Sequence, residues 1–307
     1  MAYLLIILGF VLLIVGGNFL VDGSVAVARK LHVSSLLIGL ILVGFGTSTP
    51  ELLTSVIAAY KHAEGIAVGN VIGSNIANIL LVLGVAAFLR PVPVRKKSFK
   101  RDSLFLSLST VVLVFALMCG RIDFVLGFAM CAALAFYIFY SYKTEKHFPD
   151  SDDGDETSKK SLLFAFIKTV LGIGLTLYGA QLLVDNAVAL AKAWGVDEKI
   201  VGLTVVALGT SLPELMTSIV ASLKKESAVA FGNVVGSNIY NALFILGATA
   251  LFFPVVVPEH VMPDLLMMMA ATMLMLIFGW RGRLSRGVGA VFISLYIAYI
   301  FYLAQSI

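Results

Sequence analysis

The chain has 307 residues, of which 60% are hydrophobic and only 13% charged, and its mean hydropathy is +0.99. A soluble domain carries about 25% charged residues, so this composition excludes an ordinary soluble enzyme or binding module and belongs to a polytopic membrane protein. The formal net charge of +4 does not point to nucleic acid, because in such a chain the meaning of a charge depends on the loop that carries it.

A spanning helix needs about 20 apolar residues. Ten stretches meet that requirement: 3–28, 34–60, 65–89, 102–119, 123–142, 161–191, 197–223, 228–253, 264–280 and 287–305. No Lys or Arg precedes Arg29, which argues against a cleaved signal peptide and keeps the first stretch as a span. The longest polar segment, 143–160, carries Asp150, Asp152, Asp153, Asp155 and Glu156 without the alternating ligand spacing of an EF-hand, so it reads as a solvated linker. It divides a first half, 1–142, from a second, 161–307, with five spans in each. The predicted fold is all-α, ten transmembrane helices in a 5+5 arrangement.

The two halves repeat. Residues 46–84 and 209–247 align at a constant offset of 163 without a gap and agree at 22 of 39 positions. Gly46, Thr47, Ser48, Pro50 and Glu51 recur as Gly209, Thr210, Ser211, Pro213 and Glu214; Gly69, Asn70, Gly73, Ser74, Asn75 and Asn78 recur as Gly232, Asn233, Gly236, Ser237, Asn238 and Asn241. Upstream, Gly16, Asp22 and Gly39 match Gly179, Asp185 and Gly202. Polar and acidic residues set twice into apolar sequence suggest one site built from two halves. Five spans per half make the second copy enter the membrane from the opposite side, so the repeats are expected to be inverted.

Loop charge predicts the orientation. The loops after odd-numbered spans hold Arg29, Lys30, Arg90, Arg95, Lys96, Lys97, Lys100, Arg101, Lys143, Lys146, Lys159, Lys160, Lys224, Lys225, Arg281, Arg283 and Arg286, with Lys168 just inside the sixth span on the same side. The other side has only Lys61, Arg121, Lys192 and Lys199. By the positive-inside rule the first group is cytoplasmic, which puts both termini outside the cell membrane.

The chemistry lies at two prolines. Pro50 has no backbone N–H, so the Gly46 carbonyl loses its partner and the second span should break near its middle. Thr47, Ser48 and Thr49 are placed to cap a second half-helix whose first turn suits Pro50. Gly209, Ser211 and Pro213 predict the same break in the seventh span. Irregular backbone at membrane depth must be buried in protein or line a hydrated cavity, and a bound cation would satisfy its carbonyls. Glu51 and Glu214 fall in the first turn of the new half-helices, where the helix dipole favours a charged carboxylate and burial opposes it.

Asn70, Ser74 and Asn78 share one helical face, as do Asn233, Ser237 and Asn241, while GxxxG pairs at Gly69/Gly73 and Gly232/Gly236 admit a close neighbour. Thr54, Ser55, Thr217 and Ser218 extend the polar stripe beyond each Glu. The donor set is all oxygen, which suits hard cations such as calcium or sodium, and the absence of Cys and His argues against zinc or copper. Asn and Ser often serve only as glue between membrane helices, but two copies, each with an acid beside a proline break, favour a site. Asn75 and Asn238 lie off the stripe and read as structural. Asp22 and Asp185 sit toward helix ends, where they can simply face interfacial water. The Met residues around 267–275 and the cysteines Cys119 and Cys131 read as packing or lipid contact. An intramembrane hydrolase would need a base beside Ser48, Ser74, Ser211 or Ser237, and neither His nor Lys accompanies them. A passive channel could use the same ligands, but inverted repeats with broken helices favour a carrier.

GTSxPE followed by GNVxGSNIxN, present twice, resembles the calcium:cation antiporter superfamily and, more narrowly, the prokaryotic sodium/calcium exchangers. The likeness covers nearly the whole chain in its ten-helix plan, and the motifs, taken as 44–84 and 207–247, are its specific part; the fourth, fifth, ninth and tenth spans resemble the family in topology alone. It implies alternating access in which sodium enters and calcium leaves. Glu51 and Glu214 would be shared carboxylates, with the Thr47 and Thr210 carbonyls joining them on calcium. Sodium would use the Gly44 and Ala207 carbonyls with the hydroxyls of Ser48, Ser211, Ser74 and Ser237, and Asn78 and Asn241 would face the centre. The first and sixth spans would be the sliding gate. No cofactor, nucleic acid or second chain is implied beyond the transported ions and the bilayer, so a monomer is expected. Some prokaryotic members carry aspartate where Asn241 stands, which leaves a proton-coupled or potassium-assisted exchanger as the alternative.

Overall fold

The computed structural model describes residues 2–94, 96–145, 161–194, 207–258 and 260–305. They form helices α1 (Ala2–Leu31), α2 (Ser35–Thr47), α3 (Thr49–Tyr60), α4 (Glu64–Leu89), α5 (Lys96–Met118), α6 (Phe124–Glu145), α7 (Leu162–Ala193), α8 (Leu212–Leu223), α9 (Ser227–Phe252), α10 (Met262–Gly279) and α11 (Arg286–Gln305), with a helical turn at Ala207–Gly209. Among the described residues eight helices are long and apolar enough to cross a membrane, and the pair α2 and α3, bent by 41°, makes a ninth. Of the expected span at 197–223, residues 197–206 lie outside the described residues, and α8 supplies its second half.

Local chemistry fixes the ends. The Ser34 and Ser161 hydroxyls accept from the Leu37 and Phe164 amides and cap α2 and α7. α5 begins six residues before the apolar stretch. Two-residue strands close the ends of the bundle: β1 (Val92–Pro93) pairs with β4 (Arg283–Leu284), and β2 (Arg121–Ile122) with β3 (Val255–Val256), all antiparallel. Gly120 and Gly282 precede β2 and β4 at φ of +74° and +85°, a turn conformation that suits glycine.

The repeated segments are central. α4 and α9 have 78% and 83% of their apolar stretch buried, against 17% for α11, which faces outward. α1 and α7 instead run against each other along their length. A Cβ on Gly9, Gly16 or Gly23 would meet α7 within 2.5–2.8 Å, and one on Gly172 or Gly179 would meet the α1 backbone within 2.3–2.8 Å. Glycines seven residues apart thus let the two backbones touch. Met268 and Met275 are buried while Met269 and Met273 are exposed, as the packing or lipid-contact reading expects.

Candidate ion-binding centre

The chain breaks at Ser48, between α2 and α3, as Pro50 requires, and Thr210 and Ser211 form the matching turn before α8. The expected caps do not form: Ser48 and Ser211 occupy the N-cap positions, but neither side chain caps its helix. Ser48 has a stronger partner within reach and donates from Oγ to Glu214 Oε1 at 3.2 Å, across to the other repeat. The Thr47 and Thr49 hydroxyls turn back to the carbonyls of Val43 and Phe45 at 3.1 and 3.3 Å.

Each half-helix is tied down by an Asn. Asn70 Nδ2 donates to the Glu51 carbonyl and to Ser55 Oγ, both at 3.0 Å; Asn233 Nδ2 donates to the Glu214 carbonyl at 3.3 Å and to Ser218 Oγ at 3.1 Å. Asn233 Oδ1 also accepts from Thr47 Oγ1 at 3.1 Å, which joins the break in one repeat to the helix of the other. Asn70 and Asn233 therefore position the carboxylates' backbone, a role that face-sharing alone does not distinguish from lining a site. Ser237 Oγ donates to the Gly44 carbonyl at 3.5 Å. Gly232 and Gly236 lie under α2, where a Cβ would come within 2.5 Å of the Leu36 carbonyl and 2.4 Å of that of Leu40, so this GxxxG pair does admit its neighbour. No described residue comes within 4 Å of a Cβ on Gly69 or Gly73; residues 199–203, which repeat 36–40, lie outside the described residues.

Glu51 and Glu214 are both fully buried, and Ser48, three residues before Glu51, reaches the Glu214 carboxylate. Both Glu51 carboxylate oxygens, Glu214 Oε2, the Ser211 and Thr217 hydroxyls and both polar atoms of Asn78 and Asn241 are buried with no hydrogen-bond partner. Thr47, Ser48 and Ser74 are buried as well. Thr210 lies on the wall of a crevice, and Ala207 opens the preceding helical turn. Leaving a buried polar group unpaired costs about 1–3 kcal/mol, so this cluster is a poor structural device and a good cradle for a ligand that accepts oxygen donors.

Sequence reading missed the π-helical turns at Gly39–Val43, Asn78–Leu83 and Asn241–Ile245. Two of them begin at the equivalent amides Asn78 and Asn241, and such turns recur at functional sites because they turn the following face relative to the preceding one. No residue pattern announces them. Asn75 and Asn238 link helices through their amide nitrogens, as a structural role would have it: Asn238 Nδ2 donates to the Asn75 carbonyl at 3.3 Å, and Asn75 Nδ2 meets Met268 Sδ at 3.6 Å, while both Oδ1 atoms are buried without a partner. Asp22 does not simply face water. It is ion-paired with Lys168 and Lys224.

The repeats differ in how they close. α1 packs on α8, with Gly17 against Val220, and Pro213, Thr217 and Val220 are buried. The equivalent face of α3 looks onto a crevice of about 580 Å³, walled by Pro50, Thr54 and Ile57 on one side and Gln181, Val184 and Asp185 of α7 on the other.

An all-helical membrane protein with two duplicated segments meeting at a buried, acidic, oxygen-lined centre has the build of a secondary transporter. The profile of the family described as sodium/calcium exchanger protein matches residues 1–143 and 164–305, and the chain belongs to that family. It is 32% identical to the sodium/calcium exchanger MaX1 of Methanosarcina acetivorans over 97% of each chain. It is 35% identical to an uncharacterized membrane protein, MJ0091, of Methanocaldococcus jannaschii over 95% of this chain and 94% of that one. In structure it is similar to the sodium-calcium exchanger NCX_Mj soaked with Na+ and Sr2+, at a TM-score of 0.86 and 32% identity over 97% of both chains.

Proposed function

We propose that this protein is a sodium/calcium antiporter that carries calcium out of the cell in exchange for sodium through the centre at Glu51 and Glu214. The observation that carries the reading is a pair of fully buried carboxylates, bridged between the repeats by Ser48, three of whose four oxygens have no hydrogen-bond partner. A divalent ion offsets both charges at once, and monovalent ions can offset them in its place, which is the competition an exchanger needs. Glu51, Glu214 and the Thr47 and Thr210 carbonyls hold calcium. Ser48, Ser211, Ser74 and Ser237 with the Gly44 and Ala207 carbonyls hold sodium, and Asn78 and Asn241 face both.

Strand pairing supports ten spans. β1 and β4 are hydrogen-bonded, so their loops share one side of the membrane. Five long helices separate them (α5, α6, α7, α9 and α10), and returning to the same side needs an even number of crossings. β2 and β3 are separated by three, α6, α7 and α9, and need one more as well. Both deficits fall between α7 and α9, where α8 is half of a broken span. Five crossings per half then invert the second copy. A shift of 163 takes β1 onto β3 and β2 to within one residue of β4, so the two strand pairs are counterparts, as a two-fold axis in the membrane plane would arrange. Loop charge sets the termini outside, and the crevice beside α3 then opens outward.

Purified protein in proteoliposomes loaded with calcium tests the coupling, with sodium, potassium and pH gradients imposed in turn. Calcium flux should follow the sodium gradient. Flux driven by the pH gradient alone would assign the protein to proton exchange, and flux indifferent to every counter-ion would make it a channel.

A further inference from the structure

Outside the ion centre the chain repeats one more polar pair. Asp22 on α1 and Asp185 on α7 are equivalent, and so are Lys224 and Lys61, the C-cap residues of α8 and α3. The residues that follow these lysines, Lys225 and His62, share a left-handed conformation, with φ of 70° and 56°, so the two turns present their lysines alike. Only one pair is joined. Lys224 Nζ binds Asp22 Oδ1 and also lies 3.5 Å from the Asn18 carbonyl, so it grips α1 at two points. Lys168 of α7 binds the other Asp22 oxygen at 2.9 Å. Asp185 is exposed on the wall of the crevice, and among the described residues neither it nor Lys61 makes an ion pair.

We infer that Asp22–Lys224 and Asp185–Lys61 are alternate latches that hold the α1–α7 pair in its two positions against the rest of the bundle. α1 and α7 are interlocked through their glycines, and Lys168 adds an ion pair within that unit. Asp22–Lys224 is different, because it crosses from the unit to α8, on the face where α1 and α8 are closed. The face where the crevice stands open is the one whose counterpart pair is apart. Moving the unit so that α7 closes on α3 and α1 leaves α8 exchanges the two environments, and the repeat relation then brings Asp185 to Lys61.

The pair is suited to release. Asp22 is 41% exposed and Lys224 30%, and a cleft of about 400 Å³ runs beside them, so water can take over both charges when they part. A pair this wet biases an equilibrium by a small factor and does not lock it.

The inference rests on the carrier reading above, and its test measures conformation alone, so failed transport leaves it standing. In a background with Cys119→Ser and Cys131→Ala, single cysteines are placed at Val220, buried where α1 meets α8, and at Ile57, on the crevice. Alkylation by a water-soluble maleimide is followed in nanodiscs, where both faces are open to reagent. Asp22→Asn and Lys224→Met should each speed labelling at 220 and slow it at 57, by about two- to fivefold, as expected for losing such a pair. Asp185→Asn and Lys61→Met should shift both rates the other way. Lys168→Met, which acts within the moving unit, should leave them near the parent. The inference is overturned if Asp22→Asn and Lys224→Met leave the rates unchanged, if Lys168→Met matches Lys224→Met, or if the Asp185 and Lys61 variants move the rates in the same direction as Asp22→Asn.

Discussion

Asn233→Ala should damage the centre more than the equivalent Asn70→Ala, although sequence makes them twins. Asn233 is fully buried and makes three hydrogen bonds, to the Glu214 carbonyl, Ser218 and Thr47; the part-buried Asn70 makes two, both within its own repeat. At about 1 kcal/mol net per bond, Asn233→Ala costs about 3 kcal/mol and Asn70→Ala about 2 kcal/mol or less. A chain of this size loses about 2 °C of Tm per kcal/mol, so the unfolding midpoint in detergent should fall by about 6 °C and by at most about 4 °C respectively. Only Asn233→Ala releases Thr47 from the other repeat, so it should also blunt the rise in midpoint on adding calcium. Equal losses of midpoint and equal calcium responses in the two variants would refute the reasoning, since they would mean that the Thr47 tie carries nothing.

Two further variants test the packing and the ligand set. Gly172→Ala places a Cβ 2.3 Å from the Leu20 amide and should cost about 1–3 kcal/mol of stability, whereas Gly174→Ala, with nothing within 4 Å, should leave the midpoint unchanged or slightly raised; equal midpoints would contradict the interlocked α1–α7 contact. Ser48→Ala removes the hydroxyl that donates to Glu214 and should raise the sodium concentration for half-maximal exchange by about ten- to a hundredfold, the equivalent of one charge-assisted hydrogen bond of about 1.5–3 kcal/mol; an unchanged sodium dependence would remove Ser48 from the site.

Much of this protein is legible in its sequence because membrane helices must satisfy their backbone internally and announce themselves by apolar length. The proline breaks and the duplicated acids follow from chemistry local to Pro50, Pro213, Glu51 and Glu214. What did not follow was partner choice. Ser48 stands where a cap belongs but binds a carboxylate 166 residues away, and Asn233 holds a half-helix when its spacing equally suits a ligand. The π-turns at Asn78 and Asn241 leave no trace in residue periodicity. Asp22 looked like an interfacial acid because its two lysines lie 146 and 202 residues away in sequence.

One buried pair of carboxylates, Glu51 and Glu214, is proposed to carry both ions. Calcium flux driven by a sodium gradient in proteoliposomes, compared among the parent, Glu51→Gln and Glu214→Gln, tests it most directly. Each single substitution should abolish exchange while the protein remains folded and monodisperse. Near-parental flux in either variant would contradict it.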